Sequence, residues 1–203
     1  MEQILEPLLQ SPRLPEYVEQ LEKVLAEEKK KRHDFYEWLN EDNKAEFING
    51  EVVDHSPARS IHIAVLQQLQ FRIFSFVKQN NLGVVFAEQA LIRLNRMDVM
   101  PDLSFWRKET SDTFQADTTI FPAPDFVVEI LSKATEKNDR TIKKEAYAAD
   151  GVKEYWLIDP DNKKIEQYIL KNDDYELKEK LSHGTVQCYI LQGLEIPLSE
   201  IFG

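Results

Sequence analysis

Two carboxylates stand where a globular chain rarely leaves one. In PDFVVEILS, residues 124–132, Glu129 falls between Val128 and Ile130 inside a run that reads as a buried strand. A lone carboxylate there would cost several kcal/mol and would normally be neutralised or replaced. In VMPDLSFW, residues 99–106, Asp102 stands between an apolar approach and another apolar strand. Adjacent strands in a sheet lie about 4.8 Å apart. If these two segments pair, Asp102 and Glu129 can present oxygens to one point. Hard oxygen ligands on a rigid sheet suit Mg²⁺ or Mn²⁺, and Mg²⁺ usually takes one or two protein carboxylates plus waters and substrate phosphate. The expected common partner of the two acids is therefore a divalent ion.

The segment that follows, EKNDRTIKKEAYAADG (136–151), reads as a helix that supplies a cation. Asp139, Lys143 and Tyr147 recur at i, i+4 and i+8 and so share one face. Glu136, Arg140 and Lys144 form a neighbouring, solvated face. The helix starts a few residues after Glu129, which lets Lys143 reach a phosphate or a water held near that strand's end. Each residue also has a structural reading. Glu129 can be a sheet-edge acid paired with a lysine, Asp102 a turn cap after Pro101, and Lys143 a solvated helix residue. Tyr147 reads as helix–sheet packing. His62, at the start of a long helix, can face the site, against the more ordinary reading of a surface or core-satisfied histidine.

Other chemistries drop out. The chain has six glycines and neither a G-x-G-x-x-G nor a phosphate-cradling G-x-x-x-x-G-K. There is no H-E-x-x-H, and His33, His55, His62 and His183 are not at zinc-ligand spacing. No G-x-S-x-G occurs. Cys188, in a late strand-like segment, reads as a buried structural thiol.

Composition sets the frame for these residues. The chain has 203 residues, 42% hydrophobic and 30% charged, which is ordinary for a soluble globular protein. A single cysteine permits no internal disulfide and points to a reducing cytoplasm. The first residues lack the pattern of a secretory leader, and no run is long enough to span a membrane. Net charge is −11, from 25 basic and 36 acidic residues. That far field repels phosphate and argues against a non-specific nucleic-acid binder. It does not exclude an enzyme that meets phosphate through a divalent ion, which inverts the local sign.

The elements that must position the acids follow from periodicity. LPEYVEQLEKVLAEEKKKRHD has Val18, Leu21, Val24 and Leu25 on one helical face and ends in a basic run, Lys29 to Arg32. This predicts an amphipathic helix that packs on the domain or on a partner subunit. A short helix, DFYEWLN, is expected next. KAEFINGEVVDHSP predicts a hairpin around Asn49-Gly50. SIHIAVLQQLQFRIFSFVKQNN predicts a helix with Ile63, Leu66, Ile73, Phe74 and Val77 inward. GVVFAEQALIRL, MPDLSFW and PDFVVEILS predict strands. KEYWLIDPDNKKIEQYIL predicts two more around an Asp-Pro-Asp turn, and YELKEKL and VQCYIL continue the β pattern. The sum is an α/β fold with a mixed sheet and no strict βαβ alternation. Residues 1–32 are expected as an N-terminal helical extension and 33–203 as the domain.

At this point the residues match a family. EFINGEVVDHSP with a following histidine, PDLSFW, PDFVVEILS and DRTIKKEAYAADGVKEYWLIDP together resemble the putative restriction endonuclease family abundant in cyanobacteria, within the PD-(D/E)XK phosphodiesterase superfamily. The resemblance covers about residues 33–203. It implies a restriction-endonuclease-like mixed β-sheet flanked by helices, and Mg²⁺-dependent (or Mn²⁺-dependent) cleavage of nucleic acid, DNA above all. Asp102 then corresponds to the PD acid, Glu129 to the second acid and Lys143 to the lysine, with Lys144 as the alternative. The superfamily pattern expects lysine two residues after the glutamate, where this chain has Leu131. The resemblance also implies an upstream acid, Glu46 before Glu51. Cutting both strands with one site per chain favours a homodimer. Two rivals stay open: a non-catalytic interaction module that keeps the nuclease fold, and a metal-dependent hydrolase of a small phosphorylated molecule.

Overall fold

The computed structural model describes residues 2–40, 44–54 and 57–203. The chain forms two compact units, residues 1–54 and 55–203. The first opens with α1 (Glu2–Leu9) and α2 (Leu14–Trp38). Pro15 occupies the first turn of α2, where its missing N–H is no loss. The helix runs unbroken through the basic residues, so DFYEWLN is its last turns and not a separate helix. Nothing at Arg32–His33 breaks it, and the anticipated domain boundary there falls inside one element. Its end is held by Phe35, which packs on Phe47 with ring centroids 5.6 Å apart. Phe47 lies on β1 (Ala45–Ile48), which pairs antiparallel with β2 (Glu51–Asp54). The turn between them carries Asn49 at φ 51° and Gly50 at φ 82°. These are the positive angles an Asn-Gly hairpin supplies. His55 of the predicted hairpin motif lies outside the described residues.

The second unit begins with α3 (Ser60–Gln79) and continues through β3 (Gly83–Ala87), β4 (Leu91–Arg93), β5 (Met97–Val99) and β6 (Leu103–Arg107). A one-turn α4 (Lys108–Ser111), β7 (Ile120–Phe121) and β8 (Phe126–Ile130) follow. Then come α5 (Glu136–Arg140), α6 (Ile142–Ala149), β9 (Glu154–Asp159), β10 (Lys164–Lys171) and β11 (Asp174–Leu181). The chain ends with β12 (Thr185–Gln187), β13 (Glu195–Pro197) and α7 (Leu198–Phe202). Six strands form one mixed sheet in the order β11-β10-β9-β8-β6-β3. All its pairs are antiparallel except β8 with β9. A parallel pair needs a crossover, and α5–α6 is that crossover. This is what brings the lysine-bearing helix onto the sheet beside Glu129.

The period-two alternation of β8 sorts its side chains. Phe126, Val128 and Ile130 join Val65, Leu66, Leu69, Ile73 and Val77 of α3 in the main core. Trp156 and Ile158 of β9 face the same way. Val127 and Glu129 turn to the other face, toward α5–α6. β12, β13 and α7 complete the core with Val186, Ile196, Leu198 and Ile201.

Three readings of the pattern change. The inward face of α3 is Val65, Leu66, Leu69, Ile73 and Val77, while Ile63 and Phe74 are exposed. The segment GVVFAEQALIRL is not one strand. It breaks at Glu88, which takes φ 57°, and separates β3 from β4. The strand expected through VQCYIL stops at Gln187, and Cys188 lies beyond it, buried as anticipated. The main-chain N–H groups of Tyr189 and Ile190 and the Cys188 thiol all turn to Glu154.

Candidate active site

Pro101 and Pro124 stand ahead of their strands, where no ladder hydrogen bond is lost. β6 and β8 pair with Leu103 opposite Val128 and Ser104 opposite Val127. Asp102 immediately precedes β6 and Glu129 follows Val128 on β8, so the two acids come from the same end of this strand pair. The Asp102 carboxylate is anchored on the neighbouring strand, since the Ile130 N–H donates to its Oδ2 at 2.6 Å. His62 Nε2 lies 2.9 Å from Oδ1. A carboxylate only accepts, so the imidazole N–H donates. Of the two sequence readings of His62, surface or core residue and site-facing residue, the fold gives a contact with the candidate acid, made from the first turn of α3.

Glu129 is only 4% exposed. Its Oε1 accepts from Lys143 Nζ at 2.6 Å and from the Tyr147 hydroxyl at 2.8 Å. Lys143, 3% exposed, also lies 3.3 Å from Asp139 Oδ1. The spacing that put Asp139, Lys143 and Tyr147 on one face is realised, although the helix itself is interrupted. Thr141, at φ −123° and ψ −94°, separates α5 from α6. Lys143 is therefore no solvated residue. Lys144 takes another direction, its Nζ 4.0 Å from the centroid of the Tyr168 ring.

Tyr155 lies beneath, on β9, and its hydroxyl donates to the Asp139 carbonyl at 2.9 Å. Burial, then the charges of Glu129 and Asp139, hold its phenol well above the usual tyrosine range, so it stays a proton donor. On the neighbouring face Arg140 bridges Glu136 and Glu166, each at 2.8 Å. Glu46 belongs to the first unit, buried on β1 opposite Val53. Its part as an upstream acid remains what the resemblance implies. Glu51 is exposed on β2.

The donor set fits a hard divalent ion in kind. Asp102 and Glu129 are hard oxygen donors of the kind Mg²⁺ and Mn²⁺ take. Among the described residues no group of three or more His, Cys, Asp or Glu side chains is arranged to hold a metal ion. The fit therefore rests on Asp102 and Glu129 alone, the number of carboxylates Mg²⁺ commonly draws from a protein. No helix among the described residues is long and apolar enough to cross a membrane.

Comparison with known proteins gives the family and the fold. The family model described as Uma2, "Putative restriction endonuclease", matches residues 32–199. Among solved structures, the chain is similar to a putative nuclease belonging to DUF820 from Anabaena variabilis. That match has a TM-score of 0.71 at 20% identity and covers 83% of this chain and 94% of the other. At that identity the likeness speaks for the fold. No curated protein matches the chain.

Proposed function

Because the chain belongs to the Uma2 putative restriction endonuclease family, we propose that it hydrolyses phosphodiester bonds of nucleic acid, DNA foremost, with Mg²⁺ or Mn²⁺ at Asp102 and Glu129 and with Lys143 as the catalytic cation. The observation that carries this is the buried contact of Lys143 with Glu129 at 2.6 Å. Asp102 is tied to the very next residue, Ile130. Asp102 and Glu129 would hold the ion, which would supply polarisation of a phosphoryl oxygen and a more nucleophilic water. The chain's own groups do the rest. His62 and the Ile130 N–H fix the two oxygens of Asp102, and Tyr147 fixes Glu129. Asp139 keeps Lys143 paired while Glu129 turns to its ligand, so the ammonium stays in place to offset charge that builds on the phosphoryl group.

The test is cleavage of plasmid and oligonucleotide DNA with and without Mg²⁺, by the parent and by Asp102→Asn and Glu129→Gln. Both substitutions keep size and an acceptor oxygen, so they spare the fold better than alanine. Loss of Mg²⁺-dependent cutting in both, with unchanged circular dichroism, is expected. Parental cutting by both would remove the assignment. A panel including single nucleotides separates a polymer substrate from a small phosphorylated one. Two-strand cutting by one site per chain would call for a homodimer.

One observation favours the rival, a binding module that keeps the fold. Glu129 and Asp139 are both already ion-paired to Lys143 without any ligand. Calorimetric titration with Mn²⁺ decides. One site that disappears in Asp102→Asn supports the enzyme, and no binding heat supports the module.

A further inference from the structure

Resting on the reading of Asp102 and Glu129 as a metal-dependent nuclease site, we infer that Arg59 and Lys133 form a phosphate-binding subsite at its mouth. The subsite takes a backbone phosphate beside the one being cleaved, and Asp161 is the anion it holds in the free protein. Arg59 immediately precedes α3, about one helical turn before His62, whose imidazole reaches Asp102 at 2.9 Å. A turn rises about 5.4 Å, and each DNA strand carries a phosphate for about every 3.4 Å of axis. A phosphate next to the one at Asp102 therefore falls within reach of this guanidinium. Lys133 approaches from another element. It is exposed on the turn after β8, three residues past the Ile130 whose N–H binds Asp102. Asp161 follows β9, whose Ile158 carbonyl accepts from the Leu131 N–H at 2.8 Å. All three residues thus leave the end of β8–β9 that carries the candidate acids, or the helix turn above it.

Arg59 already grips an anion. Its Nη1 and Nη2 donate to the two oxygens of Asp161 at 3.1 and 2.7 Å. The same fork fits two oxygens of a phosphate. The hydrogen bond from Arg59, and then the charges of Arg59 and Lys133, hold the Asp161 carboxyl below the usual aspartate range, so both cations act at this point. The pair is half exposed, at 51% and 50%, and exposed pairs hold weakly. A phosphodiester can therefore take the place of the carboxylate. The other charged groups at this end have partners of their own. Asp159 accepts from Asn162 and stands opposite Lys164, Glu136 is paired with Arg140, and Lys163 donates to the Gly203 carbonyl. Glu88 meets Asp102 through the backbone, its N–H donating to the Asp102 carbonyl. The approach along α3 adds no repulsion. No Asp or Glu occurs from His55 to Ala87, in a chain with 36 of them among 203 residues. A polyanion repelled by the molecule's net charge meets no acid on that segment.

Binding of an oligonucleotide duplex by the full chain, read by fluorescence anisotropy with Ca²⁺ in place of Mg²⁺, tests the subsite. Arg59→Ala should weaken binding about tenfold, and Lys133→Ala severalfold, whatever the base sequence. Asp161→Asn breaks the same ion pair yet should tighten binding, because it frees Arg59 for phosphate. In a chain that already carries Arg59→Ala, Asp161→Asn should change little. Asp112→Asn makes the same charge change at the exposed Lys108–Asp112 pair and so measures the far-field effect alone. A pair that merely braced the fold would give the same sign for Arg59→Ala and Asp161→Asn. Unchanged binding in Arg59→Ala or Lys133→Ala would overturn the subsite and leave the nuclease reading intact. So would a gain from Asp161→Asn that persists without Arg59 or only equals that of Asp112→Asn. A parent that cuts no nucleic acid with Mg²⁺ would remove both.

Discussion

Lys143 and Glu129 meet at 2.6 Å in the interior, and this sets what substitution does at the residue scale. Both are almost fully buried, with Asp139 beside them. Removing the ammonium leaves carboxylates buried without their cation. Lys143→Met should therefore cost about 3–5 kcal/mol in urea unfolding, while Glu129→Gln combined with Lys143→Met should regain much of that loss. A loss under 1 kcal/mol for the single variant would mean that water reaches the pair. Tyr147→Phe removes a hydrogen bond to a carboxylate and should cost about 1.5–3 kcal/mol. It should also lower the cleavage rate if Glu129 must be held in one rotamer. His62→Ala should lower cleavage without abolishing it, because Ile130 N–H still holds one oxygen of Asp102. Asp139, Lys143 and Tyr147 were legible from sequence because helical spacing is a local signal. The His62–Asp102 contact spans 40 positions and has no local signature, so only the folded chain reveals it.

At the scale of elements, the crossover between β8 and β9 is secured by ionisable groups whose titration can be followed. Glu166 on β10 is opposed by its burial, but hydrogen bonds from Lys180, Tyr168 and Arg140 win and lower its pKa. A carboxyl lowered in the fold adds stability above its unfolded pKa of about 4.3. That stability is lost as pH falls through the folded value. Tyr168, raised to about 12 by burial and by Glu166, works in the opposite sense. Its contribution is complete below the unfolded value of about 10 and fades toward about 12. Melting temperature against pH should thus fall at both ends. Glu166→Gln should flatten the acid limb, and Tyr168→Phe should flatten part of the alkaline one. A parallel acid limb in Glu166→Gln would contradict this. The strand order itself was only partly legible. Apolar alternation marked β6, β8, β9, β10 and β11, but not the break at Glu88. A positive φ at a non-glycine residue follows from tertiary context. The stop after Gln187 has a similar cause, since Glu154 on β9 draws the N–H groups of Tyr189 and Ile190 away from any ladder. Glu154→Gln should speed hydrogen exchange at those two amides and expose Cys188 to thiol reagents. Unchanged protection would show that the loop is held by packing alone.

For the whole molecule, the net charge of −11 and a nucleic-acid substrate pull in opposite directions. A basic nucleic-acid binder releases counterions and loses affinity steeply as salt rises. Under the proposed function the chain would meet DNA against a repulsive far field, which salt weakens, with a Debye length near 10 Å at about 0.1 M. Attraction would then fall to the site, where Lys143 and a bound divalent ion would stand against the acids. DNA affinity measured by fluorescence anisotropy with Ca²⁺ in place of Mg²⁺ should therefore vary little, or rise, between about 0.02 and 0.1 M salt. It should collapse when the divalent ion is chelated. A steep fall with salt that ignores chelation would mean that a basic surface, such as Lys29 to Arg32 on α2, carries the binding instead. The net charge would then say nothing about how the substrate is held.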